Sequence, residues 1–174
     1  MDKPLEHVHH RYAHGEHRPL SGYVATGVTY AVAAGGLLVA GKRKGAAAQT
    51  RISAGDLVLL TIATHRLART LAKDAVTSPL RAPVTRYQAT GMPSEVNEEV
   101  VPEVKDQPLL HTLGELITCP FCLGQWVATG LVGGHVLAPT LTRVVTSTLT
   151  AVAGADALQF AYSALQRLEG SDRG

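Results

Sequence analysis

The chain has 174 residues, 45% of them apolar, 17% charged and 5% aromatic, a balance that excludes both a charged disordered chain and a collagen-like one and leaves room for one domain. Sixteen Lys and Arg against fourteen Asp and Glu leave a net charge of +2, too small a surplus to point to nucleic acid as a partner. The two cysteines, three positions apart, exclude a small secreted domain stapled by disulfides.

The eight aromatics (five Tyr, two Phe and one Trp) are few for a water-soluble core of this length, and the apolar content, mostly Ala, Val and Leu, is gathered into blocks. That distribution predicts an all-α integral membrane protein, a helical bundle of about four transmembrane helices near 20–41, 53–71, 120–138 and 141–165.

Residues 1–19 carry His7, His9, His10, His14 and His17 with almost nothing apolar, which predicts a disordered tail. From Leu20 to Gly41 runs an uncharged stretch of 22 residues, about 33 Å as a helix and enough to cross a hydrocarbon core of about 30 Å. The block is longer than a signal-peptide core and ends in Lys42-Arg43-Lys44, so a span is expected instead of a cleaved leader. Gly27, Ala31 and Gly35 recur at four-residue spacing, a small-residue stripe expected to pack against another helix.

Ser53 and Asp56 form an S-x-x-D start signal, in which the hydroxyl caps orphan amides and the acid sits at the positive end of the helix dipole. Leu57, Leu60, Thr64, Leu67 and Leu71 follow at helical spacing, and Arg66 and Arg69 can snorkel from the far end. A second span over 53–71 is expected, with a surface-lying amphipathic helix as the alternative. Residues 72–108 hold five prolines and several acids, which predicts a long polar, partly flexible loop. Leu109–Thr118 reads as a short amphipathic helix, Pro120–Ala138 as a third span and Leu141–Leu165 as a fourth, with Pro139 making the turn. A polar tail follows at 169–174. The whole of 20–168 is expected to form a single membrane domain.

With four spans, one side receives Lys3, Arg11, Arg18, Arg66, Arg69, Lys73, Arg81, Arg86, Lys105, Arg167 and Arg173, and the other Lys42, Arg43, Lys44, Arg51 and Arg143. The excess of basic residues on the first side predicts both termini and the long loop in the cytoplasm.

The sharpest chemical motif is Cys119-Pro120-Phe121-Cys122 at the start of the third span. Three readings stand side by side. Two thiolates supply half of a tetrahedral zinc site, which His65, His111 or a second protomer must complete. A thiol at a helix N-terminus is activated for redox exchange, although no βαβ pattern of a thioredoxin-like fold surrounds it. Two small cysteines can also simply pack, with Pro120 as a first-turn proline. Trp126, one turn on, suits a membrane interface. Asp156 lies inside the fourth span, where an ionisable group needs a partner. Antiparallel third and fourth spans around Pro139 bring it level with the cysteine pair, and Arg66 or Arg69 is the expected counter-charge.

These motifs in order, His65-Arg66-Leu67-Ala68-Arg69, then Lys73-Asp74-Ala75-Val76-Thr77-Ser78-Pro79-Leu80-Arg81, then Cys119-Pro120-Phe121-Cys122-Leu123-Gly124-Gln125-Trp126, and finally Ala155-Asp156, resemble a small bacterial integral membrane protein family known only as a domain of unknown function. The resemblance covers about residues 54–165. It implies a multi-span membrane protein and no established activity, and it groups Arg66, Arg69, Asp74, Arg81, Cys119, Cys122 and Trp126 as residues that recur together.

The reading expected from all of this is a multi-pass cell-membrane protein of the bacterial inner membrane, for which no reaction is required. It is a structural or partner-binding component whose neighbours are the lipid bilayer and a protein partner or its own copies. The alternatives are a zinc site or thiol redox centre at Cys119 and Cys122, and a small oligomeric transporter suggested by Asp156 and His135.

Overall fold

A computed structural model describes residue 12, residues 18–45 and residues 51–171. The histidines at 7, 9, 10, 14 and 17 lie outside the described residues. The elements in order are helix α1 (Leu20–Arg43), α2 (Ala54–Lys73), a 3₁₀ turn at Ala75–Thr77, the single-turn α3 (Ser78–Arg81), strands β1 (Thr85–Thr90) and β2 (Val96–Val100), α4 (Pro108–Thr118), α5 (Pro120–Leu137) and α6 (Pro139–Ser171). The all-α class holds, with one small two-stranded sheet added.

Helix ends follow local chemistry. At the C-terminus of α1, Lys42 and Arg43 sit in the last turn, where cations complement the dipole. Gly45 then turns the chain at φ +64° while its amide bonds the Lys42 carbonyl, the left-handed exit that glycine makes without a Cβ clash. At the start of α2 the reciprocal cap is complete: the Asp56 amide donates to Ser53 Oγ at 3.1 Å, and the Ser53 amide donates to Asp56 Oδ2 at 3.2 Å. Pro108, Pro120 and Pro139 each open a helix, where the missing amide proton costs nothing.

The chain divides into two compact units, Met1–Gly36 with Thr70–Leu123, and Leu37–Arg69 with Gly124–Gly174. In the first, the stretch expected to be a loop folds. Strands β1 and β2 pair antiparallel from Thr85↔Val100 to Thr90↔Val96, with a bulge between Tyr87 and Ala89 and Ser94 at φ 71° in the turn. Helix α4 packs on β2 so closely that a Cβ at Gly114 would meet Val100 Cγ2 at 2.8 Å. At Cys119, inside this unit, α4 ends and the first turn of α5 begins. Gly22 of α1 lies flush on the start of α4, where a Cβ would come within 2.2 Å of the Pro108 carbonyl oxygen. Among the described residues the close approach predicted for Gly27 and Gly35 is not made, for none lies within 4 Å of a Cβ built on either. The small-residue stripe faces open space, and the helix contact comes from Gly22 instead.

In the second unit, a Cβ on Gly133 would meet Leu37 Cδ1, and one on Gly134 would meet Thr142 Oγ1, each at 2.8 Å. Helices α2 and α6 run parallel, since Asp56 meets Arg143, the Leu59 carbonyl meets Thr150, and Arg66 meets Asp156 in the same order along both.

The burial pattern is the reverse of a soluble core. Among the described residues, six apolar residues are buried (Leu60, Ala63, Ala68, Ala72, Val84 and Val104), whereas 26 large apolar side chains are exposed. Val24, Val28 and Val32 of α1 and Leu141, Val144, Leu158 and Leu165 of α6 are among them. By length and composition α1 and α6 can each cross a membrane, and α4 with α5 passes the same test if the bent pair is one span. Helix α2, carrying Asp56, Arg66, Arg69 and Lys73, does not pass it.

Candidate functional site

The most completely built polar site lies in the first unit, around Arg81. Its side chain is 1% exposed because α3 turns it under the end of α2 and the hairpin closes over it. The guanidinium meets acceptors on every edge. Nε donates to Glu98 Oε2 at 2.6 Å, Nη1 to the Leu71 carbonyl at 2.7 Å and Thr77 Oγ1 at 2.6 Å, and Nη2 to the Asp74 carbonyl at 3.1 Å and Glu98 Oε1 at 3.2 Å. Ser78 Oγ and Thr85 Oγ1 also donate to Glu98. Burial pushes the Glu98 carboxyl up, but the hydrogen bonds from Arg81 and Ser78 and the Arg81 charge outweigh it and hold the group below its usual 4.5. A planar five-donor fork with all donors engaged is what arginine offers and lysine does not. Asp74 takes part through its backbone: its carbonyl serves Arg81, and it forms an isolated antiparallel bridge with Glu95.

On the outer face of the hairpin, Arg86 pairs with Glu99 directly across the strands. The hydrogen bond from Arg86 holds the Glu99 carboxyl below its ordinary range.

Where α4 gives way to α5, Cys119 is half-buried and Cys122 exposed, both as free thiols. Cys119 has extended backbone angles, its carbonyl accepts the first bond of α5 from Leu123 at 3.0 Å, and its sulfur accepts the Cys122 amide at 3.3 Å. Cysteine thus fills the place that Ser or Asp fills in an ordinary N-cap. Phe121, between the two thiols, is 90% exposed. One turn before them, Glu115 gathers Tyr23 Oη at 2.7 Å, Arg18 at 3.7 Å and His111 Nε2 at 3.7 Å. His111 is buried on α4, and His65 is exposed on α2 in the second unit. No three His, Cys, Asp or Glu side chains converge as a metal site among the described residues.

In the second unit, Asp56 and Asp156 each meet a basic partner. Asp56 Oδ1 accepts Arg143 Nε at 3.0 Å and Nη2 at 2.9 Å, and the buried His135 brings Nε2 to 3.9 Å from Asp56 Oδ2. Ten residues further along α2, Arg66 Nε lies 3.4 Å from Asp156 Oδ2, whose side chain is 43% exposed. Arg69 and Trp126 are both half-buried in this unit, on α2 and α5. Arg81 and Asp74 lie with the cysteines in the first unit, and Arg66, Arg69, Trp126 and Asp156 lie in the second. Glu98, Glu115, Asp56 and Arg143 were not singled out as site residues from the sequence. The only prior signals for them were the cap spacing of Asp56 and the charge of Arg143 at the start of a span.

Comparison with known proteins agrees with the resemblance. The model of a family described as "Protein of unknown function (DUF1360)" matches residues 59–162, and the chain belongs to that family. "Sporulation protein YjcA" of Bacillus subtilis (strain 168) is 33% identical over 76 residues, covering 44% of this chain and 64% of that protein. No solved structure matches.

Proposed function

We propose that this member of the DUF1360 family is a multi-pass protein of a bacterial inner membrane, acting as a structural or partner-binding component that presents the Arg81-centred hairpin on the cytoplasmic side. One observation carries the reading: large apolar side chains stand exposed along α1 and α6 while few are buried. In water each such side chain forgoes roughly 1.5–3 kcal/mol of burial, and a chain of this size normally buries about 70% of its unfolded surface. Lipid removes that cost.

The charges fit the same frame. Arg143 and Asp156 of α6 bracket an uncharged stretch, Val144–Ala155, and the step from one charge to the other spans about 20 Å of helix. Each pair then lies near one edge of a core of about 30 Å. At about 50 Å by the same rise, α6 is long enough to continue past the Arg66–Asp156 level into the polar phase. With α2 crossing as a fourth span, the basic-residue count makes this the cytoplasmic side, where both termini and the hairpin are placed.

Carbonate washing of membranes from cells expressing the full chain tests the location. Retention in the pellet with release by detergent is expected, and recovery in the supernatant would overturn it. Co-purification from native membranes tests the partner: a stoichiometric protein lost on changing Tyr87 and Met92, both exposed on the hairpin, supports the binding role. The relative's name offers a further assay. Restored spore yield in a Bacillus strain lacking that protein would support a shared role.

A further inference from the structure

We propose that Cys119 and Cys122 form a thiol–disulfide exchange site, with Cys119 as the attacking thiolate and a disulfide as the substrate. The observations are local to one helix end and do not depend on the membrane reading. Cys119 occupies the N-cap of the 18-residue α5, where the first amides of the helix have no intrahelical partner and the dipole is positive. One of those amides, from Cys122, points at the Cys119 sulfur at 3.3 Å. Charge at that sulfur is therefore stabilised, the condition that makes a C-x-x-C thiol nucleophilic near neutral pH. The second thiol lies in the next turn on the open side, within hydrogen-bonding reach of the first. Lys73 adds a nearby positive charge. Pro120 sets the first helical angle, so the two sulfurs are held on one helical turn before any reaction begins.

The exchange balances with these groups. The Cys119 thiolate attacks one sulfur of a disulfide R–S–S–R, the S–S bond breaks, and one R–S⁻ leaves with the bonding pair. Cys122 gives its proton to solvent, and its thiolate attacks Cys119 Sγ in the mixed disulfide. The Cys119–Cys122 bond closes and the second R–S⁻ departs. The protein dithiol loses two electrons and two protons, and the disulfide is reduced to two thiols. The exposure of Cys122 and Phe121 leaves this turn open to a small disulfide or to a peptide disulfide alike.

The test uses the full chain in detergent. Wild type is incubated with glutathione disulfide in one arm and with a short peptide disulfide in the other, quenched in acid and alkylated with a mass-tagged maleimide. Both cysteines are expected to be lost from alkylation together and recovered by dithiothreitol, the faster arm identifying the better substrate. Cys122→Ser should retain one mixed disulfide on Cys119, whereas Cys119→Ser should form one far more slowly. The pH dependence of iodoacetamide alkylation separates the two thiols. Cys119, read in Cys122→Ser, should reach half-maximal rate at least about one pH unit below Cys122, read in Cys119→Ser, because a helix-capped thiol titrates below the free value of about 8.5. Two cysteines that stay alkylatable in both arms overturn the proposal, and so do coinciding pH midpoints. One zinc per chain that blocks alkylation until chelated overturns it as well and assigns a metal site.

Discussion

Arg81 and Arg66 belong to the same motif-bearing stretch, yet the structure gives them opposite surroundings. Arg81 is buried, and its guanidinium bonds Glu98, backbone carbonyls and hydroxyls on all sides. Arg66 reaches Asp156 at 3.4 Å, with the acid 43% exposed. A buried charge is tolerated only when every donor is met, and removing one partner then leaves an uncompensated ion. A partly exposed pair is screened and contributes little. The first arrangement therefore holds a unit together, and the second adjusts the register of two helices.

The largest effect is expected at Arg81. Arg81→Ala strands Glu98 and should cost about 3–5 kcal/mol, a large part of the total stability of a domain at 5–15 kcal/mol. Limited proteolysis should cut between β1 and β2, and Arg81→Lys should not restore resistance, because an ammonium cannot replace the fork. A resistant Arg81→Ala protein would remove the distinction between the two arginines.

Glu98 sharpens the contrast through pH. Its folded-state value is held below 4.5, so the stability it contributes is fully present above 4.5 and is lost as pH falls through the folded value. Protease resistance of the hairpin should decline below about pH 4.5 in wild type. In Glu98→Gln, resistance should start lower and show less of that decline.

At the other end of the scale, Arg66→Ala and Asp156→Ala should each change stability by about 0.2–1 kcal/mol, read as a small shift of the melting temperature in one detergent. A loss as large as that of Arg81→Ala would mean that Asp156 stands in the hydrocarbon core and not at its edge. Smallest of all, Glu99→Ala, which removes only the exposed partner of Arg86, should leave melting unchanged.

The same contrast explains what could be read in advance. The Ser53–Asp56 cap, the start of α5 at Pro120 and the apolar run of α1 depend on neighbours in sequence, and each is legible there, whereas Pro108 reads as loop and Pro139 as a turn although each opens a helix. The first span was expected to end at Gly41, and the helix runs two residues further, to Arg43. The hairpin was missed because Thr85–Thr90 and Val96–Val100 lack a clean alternation of apolar and polar residues, and the turn uses Ser94 at positive φ where glycine would have marked it. Arg81 was flagged by its motif, but its counter-charge lies seventeen positions away across the hairpin. Which of several acids a buried arginine meets is decided by tertiary closure, and no local spacing records it. The helix contact expected at Gly27 and Gly35 failed for a related reason: small-residue spacing shows where backbones can approach, and the contact at Gly22 was decided by the placement of α4.

The central claim is that the apolar faces of α1 and α6 lie in lipid while the β1–β2 hairpin stands in water. Single cysteines placed at Val28, Val152 and Met92, all exposed, in a Cys119→Ser, Cys122→Ser background test it with a membrane-impermeant maleimide applied to inside-out inner-membrane vesicles. The account predicts rapid labelling at Met92→Cys and none at Val28→Cys or Val152→Cys until detergent is added. Equal labelling at all three positions before detergent would contradict it.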